Sequence, residues 1–437
     1  LQLKFSEEVI NMNTEILKED SDYMYNLVQR IVDEVGPRMP CSPQEAEGAN
    51  IIKNELEKSC DEVVLEPFEC HPKAFLGWIK MIVIMVPLSM ILYLLMQFAS
   101  ETIWLIIFTA ISFGLVLLSL LIMWEEFFNY KEFIDIIFRK KSSQNVVGKF
   151  KSKGEVKKII IFSSHIDSAL QFNLLKVLKW GFIPLAFGAI IILLIWLVLS
   201  AISLTFMVIG FIELKAIFFS TVIWLLIVGS PCFLGLFFFV PLGEKGNVVP
   251  GSVDNLSSCS VIVGLGRYLK SHRDIIPENT EIRLISFGSE ESGLRGSYRY
   301  VAAHLEELKK FDAMVFNMDG LETPDKFLVI EYEPTTRTKH SEEVVQKILK
   351  AAEMNDIKAK KFGAGKLEKT VGKLSGGSDA AAFSKSNVKA AFLNSADWKT
   401  RSSYYHQSTD TPDKIRKGTL ENALRICITF ILNEKNK

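Results

Sequence analysis

Two stretches of the chain, 76–124 and 180–242, are almost unbrokenly apolar, whereas the rest alternates apolar and polar positions at helical or strand spacing. Within them, Trp78–Phe98, Thr102–Trp124, Trp180–Ile212 and Ala216–Val240 each reach the length, about 20 apolar residues, that crosses a bilayer. Trp180–Ile212 exceeds that need, so it must tilt or protrude. The links inside each pair are short, with Glu213 and Lys215 at the second tip. The pattern therefore predicts two transmembrane helical hairpins. Buried core helices are the alternative, and such helices rarely lack charges for so long.

The remaining residues read as helices over 22–35, 44–58, 257–271, 294–310, 341–354 and 417–433, and as strands over 62–69, 145–151, 156–164, 280–288, 311–318 and 388–394. Alternation of this kind predicts an α/β layered sheet. Residues 1–75, 142–179 and 243–437 would build it, interrupted by the hairpins 76–124 and 180–242. Between them, EEFFNYKEFIDIIFRKK (125–141) places aromatic and charged residues at helical spacing and predicts an amphipathic helix lying in the membrane interface.

Charge orients the hairpins. Lys73, Lys80, Lys131, Arg139, Lys140, Lys141, Lys176, Lys179 and Lys245 fall on the side that holds both termini, and the tips offer one lysine. The positive-inside rule then makes the polar domain and both termini cytoplasmic, in an integral membrane protein with four spans. The N-terminal stretch is polar and shows no signal peptide. Six cysteines lack CxxC spacing, which suits free thiols in a reducing compartment. Net charge is zero and no basic stripe interleaves with aromatics, so nucleic-acid binding has no support. Oligomeric state is not legible.

Three strand ends and two loops carry polar residues unsuited to a sheet core: SSHIDS with His165 and Asp167, SEES with Glu290 and Glu291, NMDG with Asp319, VDNLSS with Asp254, and SSYYHQSTD with His406. Ligands of open α/β sheets bind at the carboxyl ends of strands. Singly, each has an ordinary reading: Asp254 as a helix N-cap, the glutamates as an exposed acidic pair, His406 as a loop histidine. Jointly they read as a metal centre. Two divalent cations need a bridging carboxylate and two terminal ligands each, which three carboxylates and two imidazoles supply. A fourth carboxylate must stay off the metals to take the proton of the attacking water, and adjacent glutamates suit that split. Asp167, two residues beyond His165, is placed to accept the second N–H of its ring.

The pieces HIDS, VDNLSS, FGSEESGLRGS, NMDG and YYHQSTDTPDKI, with VGPRMPCSPQEAEGANIIKNELEK upstream, resemble the aminopeptidase family of cocatalytic dizinc metallopeptidases, the group of aminopeptidase Y and glutamate carboxypeptidase. The likeness covers roughly 22–75 and 143–435. It implies a three-layer α/β/α sandwich with a mixed central sheet, of the zinc-dependent exopeptidase type. It also implies two zinc ions, bridged by Asp254, one completed by His165 and Asp319 and the other by Glu291 and His406. Glu290 would be the general base and Tyr405, with Tyr404 as rival, would steady the oxyanion. A cis peptide is expected at Asp254–Asn255, and GGSDAAAF resembles a loop beside the site, with Asp379 supporting and Ala380 where many relatives carry a polar residue. With no ligand missing, the resemblance disfavours the single-zinc glutaminyl cyclase branch.

These readings predict a membrane-anchored zinc aminopeptidase acting on peptides. A carboxypeptidase or other amide hydrolase with the same metals is the nearest alternative, and a catalytically silent binding or scaffold protein is the alternative of another class. His165 and Asp254 must share one site across some 60 apolar residues, so the crossings between them must be even in number.

Overall fold

The computed structural model describes residues 16, 18–99, 101–211, 213, 215–241, 243–366, 368 and 376–435. Ile212 and most of the polar N-terminal stretch lie outside them. The chain divides into two compact units, one of residues 1–72, 140–171 and 244–437, the other of 73–139 and 172–243.

The first unit is built on the strands β1 (Glu62–Cys70), β2 (Lys141–Phe150), β3 (Lys158–His165), β4 (Thr280–Phe287), β5 (Met314–Leu321), β6 (Phe327–Ile330), β7 (Tyr332–Glu333), β8 (Thr338–Lys339), β9 (Ala359–Phe362) and β10 (Lys389–Ser395). Eight of them form one sheet in the order β1-β2-β4-β3-β5-β10-β6-β9, and β7 pairs with β8 separately. The centre β4-β3-β5-β10 is parallel, while β1, β2 and β6 introduce antiparallel pairings, so the sheet is mixed.

Successive residues of a strand face opposite sides, and both faces here are covered. Ile160 and Phe162 of β3, Ile282 and Leu284 of β4, and Met314, Phe316 and Met318 of β5 enter a core with helices Lys18–Glu34, Pro43–Glu57, Ser257–Ser271, Glu342–Glu353 and Thr419–Lys435. Their neighbours Ile159, Ile161, Ile285, Phe287 and Val315 face helices Arg295–Lys310 and Asp379–Lys385. This is a three-layer α/β/α arrangement with the parallel strand ends open at one edge.

Three local expectations change. β6 and β9 are additional strands, each four residues long and too short to show a period. β5 runs on through Asp319 and Gly320 to Leu321. The stretch 125–141 is not an amphipathic helix. A π-helical turn ends at Phe128, Tyr130 takes a positive φ of 56°, and one 3₁₀ turn follows at Asp135–Ile137. The reversal is held by Glu126, whose buried carboxylate accepts the Ile134 N–H at 2.7 Å, and by the Lys131–Glu125 ion pair at 2.9 Å.

The second unit is helical. Ala74–Leu95, Thr102–Ile122, Phe182–Val208 and Lys215–Phe237 pack in a ring, each against two others. The apolar stretches containing them are long and apolar enough to cross a membrane. Several polar side chains turn inward: Trp196 Nε1 donates to Ser89 Oγ at 2.8 Å, Ser112 Oγ donates to the Ser89 carbonyl at 2.6 Å, and the Tyr93 and Ser203 hydroxyls meet at 2.7 Å. Ile84, Ile103, Val198 and Trp224 are more than half exposed on the outside. Packing by small and hydroxyl residues inside an apolar exterior is the pattern of helices surrounded by lipid.

Phe316 is fully buried between Phe162 and Phe430, with ring centroids 5.5 Å from each. Phe316→Ala is expected to cost roughly 3–5 kcal/mol, read as a lowered midpoint in thermal unfolding of the purified protein.

Candidate metal centre

The strand ends converge. His165 is the last residue of β3, Glu290 and Glu291 lie in the 3₁₀ turn after β4, and Asp319 is near the end of β5. Asp254 lies in the loop before helix Ser257–Ser271 but does not cap it, since the N-cap is Leu256 with no side-chain bond. Instead its two oxygens diverge: His165 Nε2 is 3.2 Å from Oδ1 and His406 Nε2 is 3.3 Å from Oδ2. Asp319 Oδ1 lies 3.8 Å from His165 Nε2, and Glu291 Oε1 lies 3.5 Å from His406 Nε2. Glu290 Oε2 stands 4.0 Å from His165 Nε2, and its side chain is buried rather than exposed.

Donor atoms within 4.8 Å of one another fall into the triplets His165–Asp254–Asp319 and Asp254–Glu291–His406, which share Asp254. A third triplet, His165–Glu290–Glu291, also satisfies that distance.

The loops are locked by groups that carry no sequence signature of catalysis. Asp410, fully buried, accepts the N–H groups of Val253 at 2.8 Å and Asp254 at 3.2 Å. The Asp254–Asn255 peptide is cis, and the Asn255 side chain donates to the Met318 carbonyl at 3.0 Å while accepting Gly320 N–H at 3.2 Å. Gly251 has φ +62°, and a Cβ there would stand 2.7 Å from both the Asp254 carbonyl and Ser168 Cβ, so only glycine fits. Ser289 and Leu294 take positive φ around the glutamate turn. Glu45 holds that turn by accepting Ser289 N–H at 2.7 Å and its hydroxyl at 3.0 Å.

Asp167 differs from the simplest expectation. The Nδ1 of His165 is nearer its carbonyl oxygen, at 3.1 Å, than its carboxylate, at 3.5 Å. The carboxylate accepts the N–H groups of Glu290 at 3.1 Å and Glu291 at 2.9 Å, fixing the turn that carries both glutamates. The tyrosine rivalry is also narrowed. Tyr404 is buried with its hydroxyl donated to Glu322 Oε2 at 2.8 Å, whereas the Tyr405 ring lies 4.0 Å from that of His406.

Charge follows from this crowding. Burial, augmented by nearby aspartates and, for Glu290, by Glu291, pushes Glu290 and Glu291 well above the usual carboxylate range. Asp379, at the start of its helix beside the site, is pushed up to about 8, mainly by burial. Asp254 goes the other way: burial opposes ionisation, but the imidazoles of His165 and His406 hold its carboxyl far below the usual range. So many buried acids require positive charge beside them, and imidazole nitrogens mixed with carboxylate oxygens are a donor set zinc accepts. The residues fit zinc.

Residues 240–431 match the model described as Peptidase family M28. The match contains Asp254, Glu290, Glu291, Asp319 and His406, while His165 precedes it. Aminopeptidase YwaD of Bacillus subtilis (strain 168) is 33% identical over 176 residues, 40% of this chain and 35% of that protein, so the match spans about a third of the relative's length. A zinc aminopeptidase structure from Bacillus subtilis is similar with a TM-score of 0.51 and 15% identity, covering 95% of each chain. A glutaminyl cyclase structure from Fimbriiglobus ruber is similar with a TM-score of 0.52 and 11% identity, covering 96% of each. The shared fold is thus that of the zinc aminopeptidases, and it does not by itself separate the two chemistries.

Arg38 ties this edge together. Fully buried, it donates from Nε to the Ile166 carbonyl at 2.8 Å, from Nη1 to Gly36 at 2.7 Å and Pro250 at 2.9 Å, and from Nη2 to Gly251 at 3.2 Å. Burial lowers its pKa to about 10, and the neighbouring Asp167 and Asp410 are among the groups that oppose the shift. Arg38→Met leaves these carbonyls and carboxylates uncompensated. It is expected to cost about 3–5 kcal/mol and to lower the zinc bound per chain, measured by thermal unfolding and elemental analysis.

Proposed function

We propose that the chain is a membrane-anchored zinc exopeptidase that acts as an aminopeptidase. The observation that carries this reading is the pair of donor triplets joined at Asp254, with Glu290 left outside both. That arrangement supports two ions per chain, one beside His165 and Asp319 and one beside Glu291 and His406. It favours a hydrolase over a single-metal cyclase of the same fold. Zinc bound there would polarise the scissile carbonyl and make water a competent nucleophile near neutral pH.

The chain's own groups divide the remaining work. Glu290 takes the proton of the attacking water and returns it to the leaving amine, a task suited to a buried carboxyl with a raised pKa. Asp167 keeps Glu290 and Glu291 aimed through their backbone N–H groups, and its carbonyl orients His165. Tyr405 donates its phenol to the oxyanion, the role for which Tyr404 is disqualified by its bond to Glu322. Burial pushes the Tyr405 phenol up, so it remains a donor.

The helical unit serves as anchor. The parts of the peptidase unit before and after each helical pair belong to one compact body, so an even number of crossings in each excursion keeps that body on a single side. The lysine and arginine distribution supports a cytoplasmic side for it.

Glu290→Gln is expected to retain about two zincs per chain while the rate falls by roughly 10²–10⁴. Elemental analysis and hydrolysis of unblocked dipeptides measure the two. Equal activity of wild type and variant towards every amide tried would defeat the enzyme reading. Chelation should abolish hydrolysis, with recovery on adding zinc. In intact cells, protease added outside should leave the peptidase unit uncut until the membrane is opened; cleavage beforehand would reverse the topology.

A further inference from the structure

Arg401 is a cation at the metal centre with no carboxylate of its own. It ends the short helix Trp398–Arg401, and the chain then turns directly into Tyr404, Tyr405 and His406. Among the described residues no carboxylate lies within ion-pair distance of its guanidinium, and no side-chain hydrogen bond is made by it. Arg416, from outside this loop, takes the acids nearby, at 3.8 Å from both Glu322 and Asp397. The guanidinium is held instead by rings: its Cζ is 4.2 Å from the centre of Tyr405 and 5.6 Å from that of Trp398.

This placement is specific. The Tyr405 ring that carries the guanidinium is the one packed 4.0 Å from His406. Burial works against the Arg401 charge, yet Tyr405, Tyr404, Asp254 and Asp319 outweigh it and hold its pKa above the ordinary value. A partly buried guanidinium stacked on aromatic rings loses little freedom when it binds a planar anion, and its fork matches a carboxylate. One residue of extended peptide spans about 3.3–3.6 Å, so a carboxylate reaching Arg401 lies one or two residues from the bond being cut.

We propose that Arg401 is a specificity residue that binds a substrate carboxylate, making short peptides with an anionic group beside the scissile bond the preferred substrates. The inference rests on the peptidase reading above. The carboxylate can be the C-terminal α-carboxylate of a dipeptide or the side chain of an acidic residue following the cleaved bond. Either source places the same planar anion against the same guanidinium.

The test uses the full-length zinc-loaded protein with Leu-Gly, Leu-Gly-amide and Leu-Glu-amide. Wild type is expected to favour Leu-Gly over Leu-Gly-amide by roughly tenfold to a hundredfold in kcat/KM, the worth of a hydrogen-bonded charge. The preference should lie mainly in KM. In Arg401→Gln the ratio should collapse to about one with zinc content retained, and Arg401→Lys should restore only part of it. Preference for Leu-Glu-amide over Leu-Gly-amide identifies the side chain as the source; its absence identifies the α-carboxylate. Equal use of all three by wild type, or a preference for the anionic peptide (Leu-Gly or Leu-Glu-amide over Leu-Gly-amide) that is unmoved in Arg401→Gln, overturns the proposal. If no peptide is cut, the peptidase reading fails separately. Calorimetric binding of a reduced-amide Leu-Gly analogue and its C-terminal amide, to wild type and Arg401→Gln, then still decides whether Arg401 holds the carboxylate.

Discussion

Gathering four carboxylates and two imidazoles in a buried pocket is electrostatically unfavourable unless every charge is answered, and the peptidase unit is organised around answering them. Asp254 sits at the centre of that problem, with one oxygen toward His165 and the other toward His406. The acids behind the two histidines are answered by backbone N–H groups and by a buried guanidinium. Asp167 uses the N–H groups of Glu290 and Glu291, Asp410 uses those of Val253 and Asp254, and Arg38 stands near both acids. The site is therefore supported from below by a layer of charges that never meet a ligand.

The first layer was readable from the chain because of where its residues stand. His165, Glu290, Glu291 and Asp319 interrupt apolar strands near their carboxyl ends, where a sheet core would not tolerate them. The two cores were readable for a related reason, since runs such as KIIIFSSH and TEIRLISF admit burial on both faces. The supporting layer was not. Glu45 looks like any acid in the first turn of a helix, Asp410 like a polar loop residue, and Arg401 like one of several cations near a loop. Only the folded chain reveals that the first two meet backbone N–H groups from distant segments and that the third meets rings. The misreading of 125–141 has a similar origin: its spacing is helical, but Glu126 caps a reversal by bonding Ile134, eight residues away, which no periodicity encodes.

The helical unit obeys a different rule. Its outside is largely apolar while Ser89, Ser112, Tyr93, Ser203 and the buried indole of Trp196 bond one another, so these five side chains fix the register of the helices. If the unit sits in lipid, as proposed, hydrophobic burial would not choose among rotations of its helices, whereas a handful of directional bonds would.

Arg38 has an architectural meaning beyond its electrostatics. It clasps Ile166, just before the chain leaves for the second helical pair, to Pro250 and Gly251, just after it returns. The two stems of that long detour are stapled at their base by one side chain. Whatever the detour contains can drift, lengthen or be exchanged in evolution while the ends it must reconnect stay in register, which is how a soluble scaffold can acquire a new address without relearning its chemistry.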